Sequence, residues 1–181
     1  MKKLMMTLAV VATAAAVQAA SFDWKTSATG KIYEAGTTTL LASGTAYIFD
    51  VAATTQQSVL DAFASGKTWT TGNLNSKAVE AGAIKATNAE AFNYGTSGND
   101  YYFYVALVDG DNIFISDTVK GTASDVGYQG VSLNLKTASQ LAASTSATFT
   151  AGGWYSAVPE PTSGLLLLLG MAGLALRRKQ A

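Results

Sequence analysis

The sequence predicts a mainly β chain: an antiparallel β-sandwich passenger with one short helix, followed by a single C-terminal transmembrane helix. Three observations predict it. Short runs rich in threonine, β-branched and aromatic residues recur between glycines. No proline occurs in residues 20–157, so no stalk interrupts the passenger. The last apolar run has no polar face and stops at Arg177, Arg178 and Lys179.

In chain order, Met1-Lys2-Lys3 is a positive start and Leu4 to Val17 an alanine-rich apolar run. Val17-Gln18-Ala19 then offers the small residues that a signal peptidase reads. Residues 1–19 are expected to be a signal peptide cut after Ala19, leaving residues 20–157 as the exported passenger. Lys31–Glu34, Thr38–Leu41 and Gly44–Val51 read as strands. Thr54 or Thr55 caps a helix whose Val59, Leu60 and Phe63 share one face, and Gly66 ends it. Residues 73–90 carry short apolar runs that do not separate helix from strand, and read as mixed loop and strand.

Asp100–Val108 is apolar on both faces, the mark of a central strand, and Asp109-Gly110-Asp111-Asn112 turns it into Ile113–Ser116. Val131–Leu135 alternates as a half-buried strand should, and Ala147–Thr150 with Trp154 and Tyr155 supplies the last one. No repeat of 20–50 residues is present, so one domain is expected between the terminal signals.

Residues 158–181 have their own order: Val158-Pro159-Glu160-Pro161, a leucine run punctuated by Gly164, Gly170 and Gly173, then the three cations. The prolines disfavour helix before Pro161, so the apolar helix is expected over residues 162–176. A helix of about 15 residues rises roughly 22 Å, short of the ~30 Å hydrocarbon core, and makes a minimal span. The cations belong on the cytoplasmic side, which places the passenger outside. From composition alone the tail is a permanent anchor, a lipid-anchor exchange signal or the substrate of a sorting transpeptidase. A glycolipid-anchor signal would finish on its apolar stretch rather than on cations.

This tripartite tail resembles the PEP-CTERM sorting domain of Gram-negative bacteria. The resemblance covers residues 158–181 and implies recognition by exosortase, a membrane-embedded cysteine transpeptidase, with a cell-surface or extracellular destination in an exopolysaccharide or biofilm-type envelope. It assigns Pro159, Glu160 and Pro161 to the recognition motif, and Arg177 and Arg178, followed by Lys179, to the cytoplasmic stop. None of these is catalytic, and the passenger itself resembles no family.

Charge and composition narrow what the passenger does. Its seven lysines stand against eleven acids with no arginine, a net charge of −4, so the basic stripe that nucleic acid requires is missing. The chain has no cysteine and no histidine, which removes disulfides, thiolate nucleophiles and imidazole catalysis. S-x-x-K, G-x-S-x-G and G-x-x-x-x-G-K are absent. The expectation is a protein without enzymatic activity or cofactor, a structural or adhesive component of the envelope. Two other functions were weighed. Trp24, Trp69, Trp154 or tyrosines stacking on sugar rings would make a surface carbohydrate-binding module, with exopolysaccharide as partner. Two carboxylates in a cleft, drawn from Glu34, Glu80, Glu90 and the aspartates, would make a small secreted hydrolase. Asp109, Asp111, Asn112 and Asp117 are the candidate calcium ligands, although their spacing departs from the usual calcium loop and suits an ordinary turn.

Overall fold

The computed structural model describes residues 19–85, 91–123, 128–133, 135 and 139–157. The expected signal peptide up to Gln18 and the tail from Val158 onward, including the expected helix 162–176, lie outside the described residues. Among the described residues ten strands and one helix follow in order: β1 (Ala19–Thr26), β2 (Ser43–Asp50), α1 (Gln56–Ala64), β3 (Asn75–Glu80), β4 (Ala83–Ile84), β5 (Phe92–Thr96), β6 (Asp100–Asp109), β7 (Asn112–Ile115), β8 (Val119–Thr122), β9 (Tyr128–Leu133) and β10 (Gly153–Ser156). They form a three-stranded sheet, β5-β1-β9, and a seven-stranded sheet, β10-β7-β6-β2-β3-β4, with β8 pairing the free half of the β6 edge.

The long apolar run of β6 makes it central. β2 pairs one side of it, and β7 and β8 share the other, with Ser116 breaking the ladder between them. Because β6 is apolar on both faces, the large sheet has two buried faces. Phe103, Val105 and Leu107 meet Phe22 and Trp24 of β1 and Val131 and Leu133 of β9 in one cluster between the sheets. Tyr104 and Ala106 face the other way, joining Phe49, Ile113, Ile115, Tyr155 and the buried Val59 and Leu60 of α1. The Thr55 side chain caps α1 by accepting from the Ser58 N–H, and Gly66, at φ 65°, closes its C-terminal end.

Several expectations are corrected. The sheets are antiparallel except where β1 and β9 pair in parallel, a geometry that the long chain between them permits. Lys31–Glu34 and Thr38–Leu41 make a single bridge, Tyr33 to Leu40, because the Ile32 N–H goes instead to the Gly82 carbonyl. Residues 147–150 form no strand: the Phe149 N–H is taken by Gln57 Oε1 and the Thr150 N–H by the Tyr155 hydroxyl. The 73–90 stretch, read as mixed loop and strand, needs no correction: its described part, residues 73–85, is loop and the β3–β4 hairpin, whose Ala81 and Gly82 both have positive φ, 47° and 69°.

β1 was not anticipated, although Phe22, Trp24 and Thr26 alternate inward as a strand should. Its partner β5 contains Gly95, at φ 71°, where a Cβ would run into the ring of Tyr101. The ring lies over the bare backbone and its hydroxyl accepts the Thr96 N–H at 2.8 Å. Gly95→Ala is expected to cost about 1–3 kcal/mol in chemical denaturation, whereas Gly98→Ala, which meets nothing within 4 Å, costs less.

Candidate functional site

The four candidate calcium ligands do not converge. Asp109 and Asn112 face each other across the β6–β7 turn, with Gly110 at φ 56°. Asp117 lies beyond the far end of β7, about 16 Å along an extended chain from Asn112. Two of the four, Asn112 and Asp117, hold the chain at and just before β10 instead. Asn112 Oδ1 accepts the Ser156 hydroxyl at 2.8 Å, and Asp117 Oδ1 accepts the Gly152 N–H at 2.8 Å. Among the described residues, no three of His, Cys, Asp and Glu stand together as metal ligands. Of the acids weighed for hydrolysis, Glu80 pairs with Lys85 at 3.0 Å, Glu34 sits in the turn before Thr37, and Glu90 lies outside the described residues.

Two of the three tryptophans belong to the core. Trp24 Nε1 donates to Asn75 Oδ1 at 3.1 Å, and Trp154 Nε1 donates to the carbonyls of Tyr33 and Ser139. Trp69 is half-buried, with its ring edge against Tyr47 at 5.1 Å between centroids. None of the three forms an exposed stacking platform.

A surface recess of about 460 Å³ lies where the end of β2 meets the start of β6, lined by Asp50, Val51, Ala52, Asp100, Tyr101, Tyr102 and Thr118. Antiparallel pairing of Asp50 with Phe103 brings these segments together. Asp50 is buried; its carboxylate accepts the Ala52 N–H at 3.1 Å and the Tyr94 hydroxyl at 2.5 Å. Tyr102, 52% exposed, forms the aromatic wall. At the rim, Lys120 reaches Asp100 at 2.7 Å, holding that carboxyl below its usual range and the amine above its own.

Burial, then the hydrogen bond to Asp50, pushes the Tyr94 hydroxyl up to about 12. A raised folded value means that the neutral phenol stabilises the fold. That contribution is complete below the ordinary tyrosine range near 10 and is lost as pH rises through about 12. Denaturation midpoints measured from pH 9 to 12 should therefore fall, and Tyr94→Phe should flatten the decline.

The chemically least ordinary group is a lysine in the core. Lys77, its side chain 1% exposed, contacts Asp23, whose side chain is 8% exposed. Nζ also donates to the carbonyls of Trp24 at 3.0 Å and Lys85 at 3.3 Å, and it lies 5.6 Å from the centre of the Trp24 ring. Asp23 Oδ1 accepts the Trp24 N–H at 2.8 Å. Sequence reasoning passed over this pair. Its signal is a lysine that shares the inward face of β3 with Val79.

At the C-terminal end, β10 finishes at Ser156, and the Ala157 N–H donates to the Asp111 carbonyl. The passenger therefore closes on the β6–β7 turn immediately before Val158. Residues 157–179 match the family model described as the PEP-CTERM protein-sorting motif. The chain carries a PEP-CTERM sorting motif. Pro159, Glu160, Pro161, Arg177, Arg178 and Lys179 all fall inside that match, outside the described residues. No curated protein and no solved structure matches the chain. The motif implies export, processing by exosortase and a cell-surface or extracellular location. Among the described residues no helix is long and apolar enough to cross a membrane. β1 begins at Ala19, so a cut after Ala19 leaves Ala20, already buried, as the first residue of the mature strand.

Proposed function

We propose that this PEP-CTERM protein is a non-catalytic structural or adhesive component of the bacterial envelope or extracellular matrix, exported behind a signal peptide and released outward through its C-terminal signal. The observation that carries the reading is the sorting motif beginning where the packed passenger ends, at Ala157. The passenger supports it in kind. Several of its polar side chains tie segments of the fold together, as with Asn112 on Ser156, Asp117 on Gly152 and Thr122 on Asp100. Fractionation of the producing bacterium tests it. The protein is expected in the surface and matrix fractions, and its deletion weakens attachment or matrix cohesion. Recovery in the cytosol, or unchanged attachment and cohesion without it, contradicts the role.

Carbohydrate binding is a second reading, supported by the recess beside the exposed Tyr102 and the carboxylates of Asp50 and Asp100. A site there would leave the fluorescence of buried Trp24 and Trp154 unchanged, so retention on polysaccharide gels, lost in Tyr102→Ala, is its proper readout.

A further inference from the structure

We propose that Lys77 and Asp23 are joined by an intramolecular amide bond between Nζ and Cγ, a covalent cross-link between the two sheets. The two side chains come from different layers, Asp23 from β1 of the small sheet and Lys77 from β3 of the large one. Both are buried, with the amine against the carboxylate and the Trp24 ring beside it. Two reactive groups held in contact react as an intramolecular pair, with most of the entropic cost of meeting already met by folding. Exclusion of water also removes the solvent that would keep the ion pair hydrated and the condensation reversible.

The surroundings supply the geometry. Transfer of one proton from Nζ to the carboxylate gives a neutral amine and a carboxylic acid. The amine keeps two N–H donors for the carbonyls of Trp24 and Lys85, which aims the freed lone pair at Asp23. The transferred proton sits on Oδ1, the oxygen that Nζ touches and that the Trp24 N–H holds in place at 2.8 Å; Nζ then bonds to Cγ, and the negative charge moves to Oδ2. A proton passes from nitrogen to the Oδ1 hydroxyl, the Cγ–Oδ1 bond breaks, and water leaves as the carbonyl re-forms at Oδ2. An ammonium and a carboxylate thus become one amide and one water, with no oxidant or other reagent. In a chain without cysteine, the link would close the segment from 23 to 77 as a disulfide would.

The test is made on the full-length protein and its exported form by intact mass and tryptic mapping. The expected mass is about 18 Da, one water, below that of the unlinked chain. Trypsin cannot cut after an amidated Lys77, so residues 68–85 should appear joined to the peptide ending at Lys25. Lys77→Arg should restore the full mass, while Asp23→Asn should give a deficit of about 17 Da through loss of ammonia. Separate linear peptides containing Asp23 and Lys77 would overturn the proposal, whether the mass is full or an 18 Da deficit lies elsewhere, as in a succinimide. Because the primary readout is the unmutated protein, a variant that fails to fold leaves the test decisive.

Discussion

Changing Pro159, Glu160 and Pro161 together to alanine should leave the protein in the membrane fraction with its tail attached, and surface display should fall by an order of magnitude or more. The three residues lie within the matched motif, between a passenger that closes at Ala157 and the apolar run that begins at Leu165. Prolines fix φ, lack a backbone donor and disfavour helix at the residue before them, so the sequence predicts an extended entry to the apolar run. Alanines would remove that bias together with the motif itself, and processing by exosortase is expected to fail. The passenger should be unaffected, since its packed part already closes at Ala157, on the Asp111 carbonyl. Western blots of membrane and surface fractions, with circular dichroism of the passenger as control, read both halves of this expectation.

The largest effect on stability is expected at Trp24. Its indole is fully buried between the sheets, bonds Asn75 and covers the Lys77–Asp23 pair. Trp24→Ala opens a cavity where three structural roles meet, at a cost of about 3–5 kcal/mol. For a domain whose total stability is of order 5–15 kcal/mol, that is a large share. Trp24→Phe keeps most of the apolar contact and loses the Nε1 bond, a change of about 1–2 kcal/mol. Urea denaturation followed by far-ultraviolet circular dichroism separates the two. Similar midpoints for Trp24→Ala and the unmutated protein would show that the inter-sheet cluster is not the core of the fold.

Legibility in the sequence followed how locally each feature is encoded. The β6–β7 hairpin could be read because an Asp-Gly turn sits between two apolar runs, and α1 because Thr55, Val59, Leu60 and Gly66 carry cap, face and stop within a dozen residues. The sorting motif is a linear signal and was legible without any fold. Features decided by distant partners were not. The Lys31–Leu41 segment has strand composition, yet its backbone is drawn to Gly82 across the fold. The aspartates at 109, 111 and 117 look like a cluster in one dimension, but β7 separates Asp117 from the other two. Short β5 and β8 carry glycine in a strand, which weakens the pattern by which strands are recognised. Lys77 was invisible for a related reason: one charged residue at an inward position is ordinarily a surface side chain, and only its contact with Asp23 on the other sheet shows otherwise.

The most direct test of export and sorting is the intact mass of the protein recovered from outside the cell. A chain beginning at Ala20 and lacking Leu165–Lys179 is the predicted result. An external form that retains the whole tail, or a chain found only inside the cell with its first 19 residues attached, would contradict the account.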